Sequence, residues 1–210
     1  MDMGISDIYN SIFKPKQEQV SGFQYSWNNG PFASTTEAAG FPRPAKIEKP
    51  PMYKIPKVIP VQYHPVFIEQ ARMAGLTPEE FGQIALREQG PSATSSTVQL
   101  TGLADPTDRG VMQINKLNEP EVQKRFKKEF GRTYNPDSTI DSIIGARMIL
   151  EINREIFNNK RINQTYTNPY TNQDLIDSYN LGVDGLIQSK RGNPEKVERL
   201  TKYRNAELGI

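Results

Sequence analysis

Glu88 is the residue of this chain best placed to do chemistry. Phe81, Ile84, Ala85 and Glu88 fall at i, i+3, i+4 and i+7, one face of a helix, so a carboxylate stands where an apolar side chain is expected. Partial burial and the negative end of a helix dipole both disfavour its anion. The spacing therefore predicts a carboxyl that stays protonated near neutral pH and acts as a general acid. By position alone, the plainer reading is a Glu at a helix edge whose carboxylate snorkels to water. No alternative chemistry competes strongly. The chain has no cysteine and one histidine, so thiolate ligands and a His-rich metal site are excluded and no cofactor is expected. That histidine, His64, stands at a helix start, where a surface or capping role is expected.

Local signals define the helix that carries Glu88. Thr77 is an N-cap, Pro78 suits the first helical position, Glu80 completes capping-box spacing, and Gly90 is a stop. Ahead of it, Pro65 to Met73 predict a first helix ending at Gly75. Behind it, residues 91–107 are a Ser/Thr/Gly-rich stretch, a loop, small hairpin or lip over a groove. The block Asp108-Arg109-Gly110-Val111-Met112-Gln113-Ile114-Asn115 follows. Asn118 is read as the cap of a helix with acidic residues first and basic residues last. Ile140, Ile143, Ile144, Met148, Ile149 and Ile152 predict the core helix, from about Ser138 to Phe157, with Gly145 permitting close packing. Residues 158–172 read as turns, Gln173 to Leu181 carries Tyr179 and Asn180, Gly182 to Gln188 adds a further short turn, and Glu195 to Leu208, with Val197, Leu200 and Tyr203 in register, closes the domain. No segment alternates like a strand. The expectation is an all-α or mainly α domain of six to eight helices.

The first 62 residues read differently. Ile5, Ile8, Tyr9, Ile12 and Phe13 form a helical stripe too short to stand alone in water, and eight of the sixteen prolines lie between Pro15 and Pro60. Prolines interleaved with lysines favour extended chain, so residues 1–62 are expected to be an arm and tether and residues 63–210 the compact domain. Phe23, Tyr25, Trp27 and Phe32 favour docking over a plain solvated linker. A net charge of +2 is too small to argue for nucleic acid, and no run approaches the roughly 18 apolar residues of a membrane span.

Three blocks in order, Ala85-Leu86-Arg87-Glu88, then Gly110-Val111-Met112-Gln113-Ile114-Asn115, then Ser178-Tyr179-Asn180, resemble the lysozyme-like superfamily and most closely the soluble lytic transglycosylases. The resemblance spans roughly Tyr63 to Tyr203. It departs from the family at Gln89, where a Ser that orients the Glu is usual, at Val111 for Leu, and at Ser178 for Ala. It implies a lysozyme-like helical domain that cleaves the β-1,4 bond between N-acetylmuramic acid and N-acetylglucosamine of peptidoglycan, with Glu88 as general acid and base. It further implies that Met112, Gln113 and Asn115 line the groove and that Tyr179 and Asn180 hold Glu88 and the sugar.

The run Asp-x-Gly-x-x-Gln-Ile-Asn also resembles the strand block of animal-type lysozymes, which makes Asp108 a candidate second carboxylate. A muramidase using Glu88 and Asp108 is the alternative, with carboxyls about 5 Å apart if retaining and about 6.5–9.5 Å apart if inverting. Asp108 reads equally as a turn residue after Asp105-Pro106. A structural protein of a virion with weak activity is the remaining reading. A wall-cleaving chain without an export signal, carrying a basic, proline-rich arm, is similar to a phage protein of the virion. Residues 1–60 would then dock on a structural protein of the particle, and about 45 tether residues at about 3.1 Å each would let the domain reach the wall during genome entry.

Overall fold

The computed structural model describes residues 53–94 and 108–209. The proposed docking stripe, the arm as far as residue 52 and the stretch 95–107 lie outside the described residues. So does the Asp108 side chain. Residues 53–62, expected to belong to the arm, belong instead with the compact unit that follows them. Val58 and Ile59 are each only 1% exposed, Pro56 lies against Gly82, and the Lys54 N–H donates to Glu79.

The described part is mainly helical. After a 3-10 turn at Val61–Tyr63 come α1 (His64–Met73) and α2 (Pro78–Gln89), then two-residue strands β1 (Asp108–Arg109) and β2 (Ile114–Asn115). Four helices follow: α3 (Glu119–Phe130), α4 (Thr139–Ile162), α5 (Asn172–Lys190) and α6 (Pro194–Leu208). Six α-helices among the described residues fall within the expected range. α2 is bounded as its sequence predicts, because Thr77 and Glu80 form a reciprocal capping box and Gly90, at φ 82°, ends the helix. Asn118 occupies the N-cap position of α3, but its side chain makes no capping hydrogen bond there.

α4 organises the core. Every residue from Ile140 to Leu150 is buried, which a helix with one apolar stripe would not require, because other elements surround it. Its buried polar groups are therefore satisfied by those neighbours. Asp141 accepts a bidentate pair from Arg132 at 2.6 and 2.7 Å. Ser142 accepts from the Met112 N–H at 3.0 Å, and Asn153 donates to Ser178. Arg147 donates to Gln70, Glu129 and Glu151. The helix continues to Ile162, five residues past the expected end, because Phe157 is buried and stacks with Tyr170 at 4.8 Å.

α5 is broken at Gly182, whose φ of 69° and ψ of 161° are not helical. Its second part, 183–190, is helical where a short turn was expected, with Val183, Leu186 and Ile187 buried. α6 has no buried residue, and Val197, expected to face inward, is 42% exposed. Among the described residues no helix is long and apolar enough to cross a membrane.

Candidate active site

The block from Asp108 to Asn115 is a hairpin. Asp108 pairs with Asn115 and Arg109 with Ile114, leaving Gly110–Gln113 as a four-residue loop. Strands of two residues are too short for alternation to be read, which is why no hairpin was expected. Gly110 has φ 78°, and a Cβ there would lie 2.5 Å from both the Pro136 carbonyl oxygen and the Ser142 hydroxyl, so only glycine fits. Gln113 also has positive φ, 48°, and both its backbone N–H and its side-chain amide donate to the Gly110 carbonyl, at 3.0 and 2.7 Å.

Three helices hold this loop. Ser142 of α4 accepts from the Met112 N–H, the Tyr179 hydroxyl of α5 donates to the Met112 carbonyl at 2.8 Å, and Gln89 at the end of α2 donates to the Val111 carbonyl at 3.4 Å. Behind it, the Ile114 side chain lies against Gly145, where a Cβ would approach to 2.5 Å. Gly145 thus allows the close packing its sequence position suggested.

Glu88 lies in the last turn of α2, half-buried behind the buried Phe81, Ile84 and Ala85. The Asn180 side-chain nitrogen donates to its Oε1 across 92 residues of sequence. The first and third sequence blocks therefore meet at a carboxylate and an amide. The second joins them through Tyr179 and Gln89.

The other predicted positions are placed differently from one another. Met112 is fully buried and faces Tyr179 by its backbone carbonyl. Gln113 is 6% exposed and folds back on Gly110, while Asn115 is half-buried and accepts from the Leu117 N–H in a turn. Each shapes the hairpin. His64 bonds to the Ile59 carbonyl at 3.1 Å, a local link between the start of α1 and the segment before it.

An ion-pair network on the neighbours of Glu88 and Asn180 in their helices was not foreseen from the sequence. Arg87 donates to Asp177 at 2.8 Å and to Glu207 at 3.0 Å, and the Arg87 and Asp177 side chains are only 1% and 0% exposed. Arg204 donates to the other Asp177 oxygen at 2.5 Å, and Gln173 adds a third donor at 3.1 Å. Burial alone would raise the Asp177 carboxyl, but hydrogen bonds from Arg204, Arg87 and Gln173 outweigh it and hold the group below its ordinary value. A charged Arg next to Glu88 and an Asp three residues before Asn180 were the available signals.

No family model, no curated protein and no solved structure matches this chain. The geometry and its chemistry therefore carry the functional reading.

Proposed function

We propose that the chain is a lytic transglycosylase of peptidoglycan with Glu88 as its general acid and base. One observation carries the reading: a half-buried carboxyl at a helix end is held by the Asn180 amide from a distant part of the chain. An amide donor on one oxygen fixes the plane of the carboxyl and stabilises the anion left once its proton is given up.

In this mechanism the protonated Glu88 donates to the glycosidic oxygen as the C–O bond breaks and oxocarbenium character develops on N-acetylmuramic acid. The Glu88 carboxylate then takes the proton from the C6 hydroxyl of the same sugar, whose oxygen bonds to the anomeric carbon. The product is a 1,6-anhydro end; Glu88 regains its proton and no water is consumed. Tyr179 and Gln89 keep the 110–113 loop in fixed relation to the carboxyl, which favours a geometry close to that of reaction. The lysozyme-like identity of the domain is part of the same proposal, supported by the three blocks in order, by the bond between the first and third at Glu88, and by the bonds of the second to Tyr179 and Gln89.

The test is digestion of purified sacculi followed by mass spectrometry of the released fragments. Anhydro-ended products, lighter by one water than hydrolytic ones, are expected. Reducing ends alone would replace this reading with a muramidase using Asp108, and no release at all would favour a structural role. Activity should also fall as pH rises through the titration of Glu88, since the acid must be protonated to act. The proposed setting, a phage particle that carries the enzyme to the wall, rests on the arm; mass spectrometry of purified particles tests it.

A further inference from the structure

The four side chains from Asp177 to Asn180 leave α5 towards four different places. Asp177 reaches Arg87 in α2 and Arg204 in α6, Ser178 receives the Asn153 amide of α4, Tyr179 bonds the hairpin loop, and Asn180 bonds Glu88. Asn180 bonds the proposed acid, and Asp177, whose side chain is 0% exposed, stands one turn before it. Asp177 and Asn180 are three residues apart and share a face of α5, while Arg87 and Glu88 are adjacent in α2. The two helices are therefore joined by two neighbouring rungs, a dry ion pair and a half-buried amide–carboxylate pair.

Adjacent residues of a helix are turned by about 100° from one another, so fixing the direction of Arg87 fixes that of Glu88. We propose that Asp177 is a positioning residue for Glu88, holding the last turn of α2 at the rotation at which the carboxyl meets the Asn180 amide. α6 completes the device. Arg204 occupies one Asp177 oxygen and Glu207 occupies the Arg87 Nε, so neither member of the buried pair is left to seek another partner. A helix without a single buried residue thereby becomes part of the site's support. The kinetic side of this inference rests on Glu88 being the acid, whereas its geometric side does not.

Two readouts of Asp177→Asn in the full chain, checked for folding by circular dichroism, test the proposal. In the unaltered protein the Asn180 side-chain amide resonance should follow one carboxyl titration that disappears in Glu88→Gln. That titration step should be lost in Asp177→Asn. On soluble glycan chains kcat should fall by about 100-fold with KM unchanged, since sugar binding is retained and only the reacting geometry is displaced. Arg204→Gln, which keeps the Arg87 rung, should weaken both readouts less, and Asp177→Glu, which keeps the charge but lengthens the rung, serves as the probe if Asp177→Asn does not fold. A folded Asp177→Asn, or in its place Asp177→Glu, with the unaltered amide titration and kcat overturns the positioning role. An intact amide titration without glycan cleavage in the unaltered protein would instead sink the transglycosylase reading and leave the positioning geometry standing.

Discussion

Arg87 and Arg147 are both buried guanidinium groups, with side chains 1% and 3% exposed, but they are neutralised in different ways. Arg147 pairs with Glu129 and Glu151, whose side chains remain 35% and 27% exposed, and one of them lies a single turn along the same helix. Water can still reach those carboxylates if the pairing slips. Arg87 pairs with Asp177, which is 0% exposed, and with Glu207 from the last helix. Glu207 is 19% exposed, but within the Arg87–Asp177 pair neither side chain reaches solvent, so parting them strands a buried charge. The first network ties α4 to α1 and α3; the second ties α2 to α5 and α6 at the residue before Glu88 and one turn before Asn180. A similar set of charged bonds thus serves packing in one region and, under the proposed mechanism, the precision of a reacting group in the other.

Removing one partner from each network should separate these roles. Asp177→Asn and Arg147→Met should each cost about 3–5 kcal/mol in denaturant unfolding, as breaking a buried pair usually does. Only Asp177→Asn should also lower turnover per folded molecule. Equal loss of turnover in both would erase the distinction.

Gly110→Ala sharpens the comparison from the hairpin side. A methyl placed against the Pro136 carbonyl and Ser142, on a backbone at φ 78°, should cost roughly 2–5 kcal/mol by combining left-handed strain with overpacking. Turnover should fall with it, because Met112 and Val111 are bonded to the helices that carry Asn180 and Glu88.

Acid should act on the Arg87 network as well. The Asp177 carboxyl titrates below its ordinary value of 3.8 in the folded chain. Its stabilising contribution is therefore fully present above that value and lost as pH falls through the lowered one. Unfolding midpoints taken down to about pH 2 should drop more steeply for the unaltered protein than for Asp177→Asn. Parallel curves would contradict the ionised state assigned to Asp177.

The smallest effect is expected at the far end of α2. Thr77→Ala removes the capping box and should cost about 1 kcal/mol without changing turnover, since the Glu88 end of the helix is held independently.

These sites differ also in how far the sequence discloses them. Thr77, Pro78, Glu80 and Gly90 announce α2 because caps and stops are local, and the apolar spacing of α4 is visible over many turns. Gly145 was readable for the same reason, as a small residue within a continuous stripe. The pairing of Glu88 with Asn180 followed only from three blocks taken together. Arg87 and Asp177 escaped because an ion pair across 90 residues has no periodicity and each partner alone looks like a surface charge. The two-residue strands escaped through brevity, and the end of α4 was misplaced because tertiary contacts of Phe157, rather than local propensity, extend it.

The most direct measurement is turnover per folded molecule on purified peptidoglycan for Glu88→Gln, set beside Arg147→Met. Glu88→Gln should unfold at nearly the unaltered midpoint yet lose about 10²–10⁴-fold in rate, the usual contribution of an acid–base group, while Arg147→Met should be less stable and retain its rate. Release of anhydro-ended fragments by folded Glu88→Gln at the unaltered rate would contradict the assignment of Glu88.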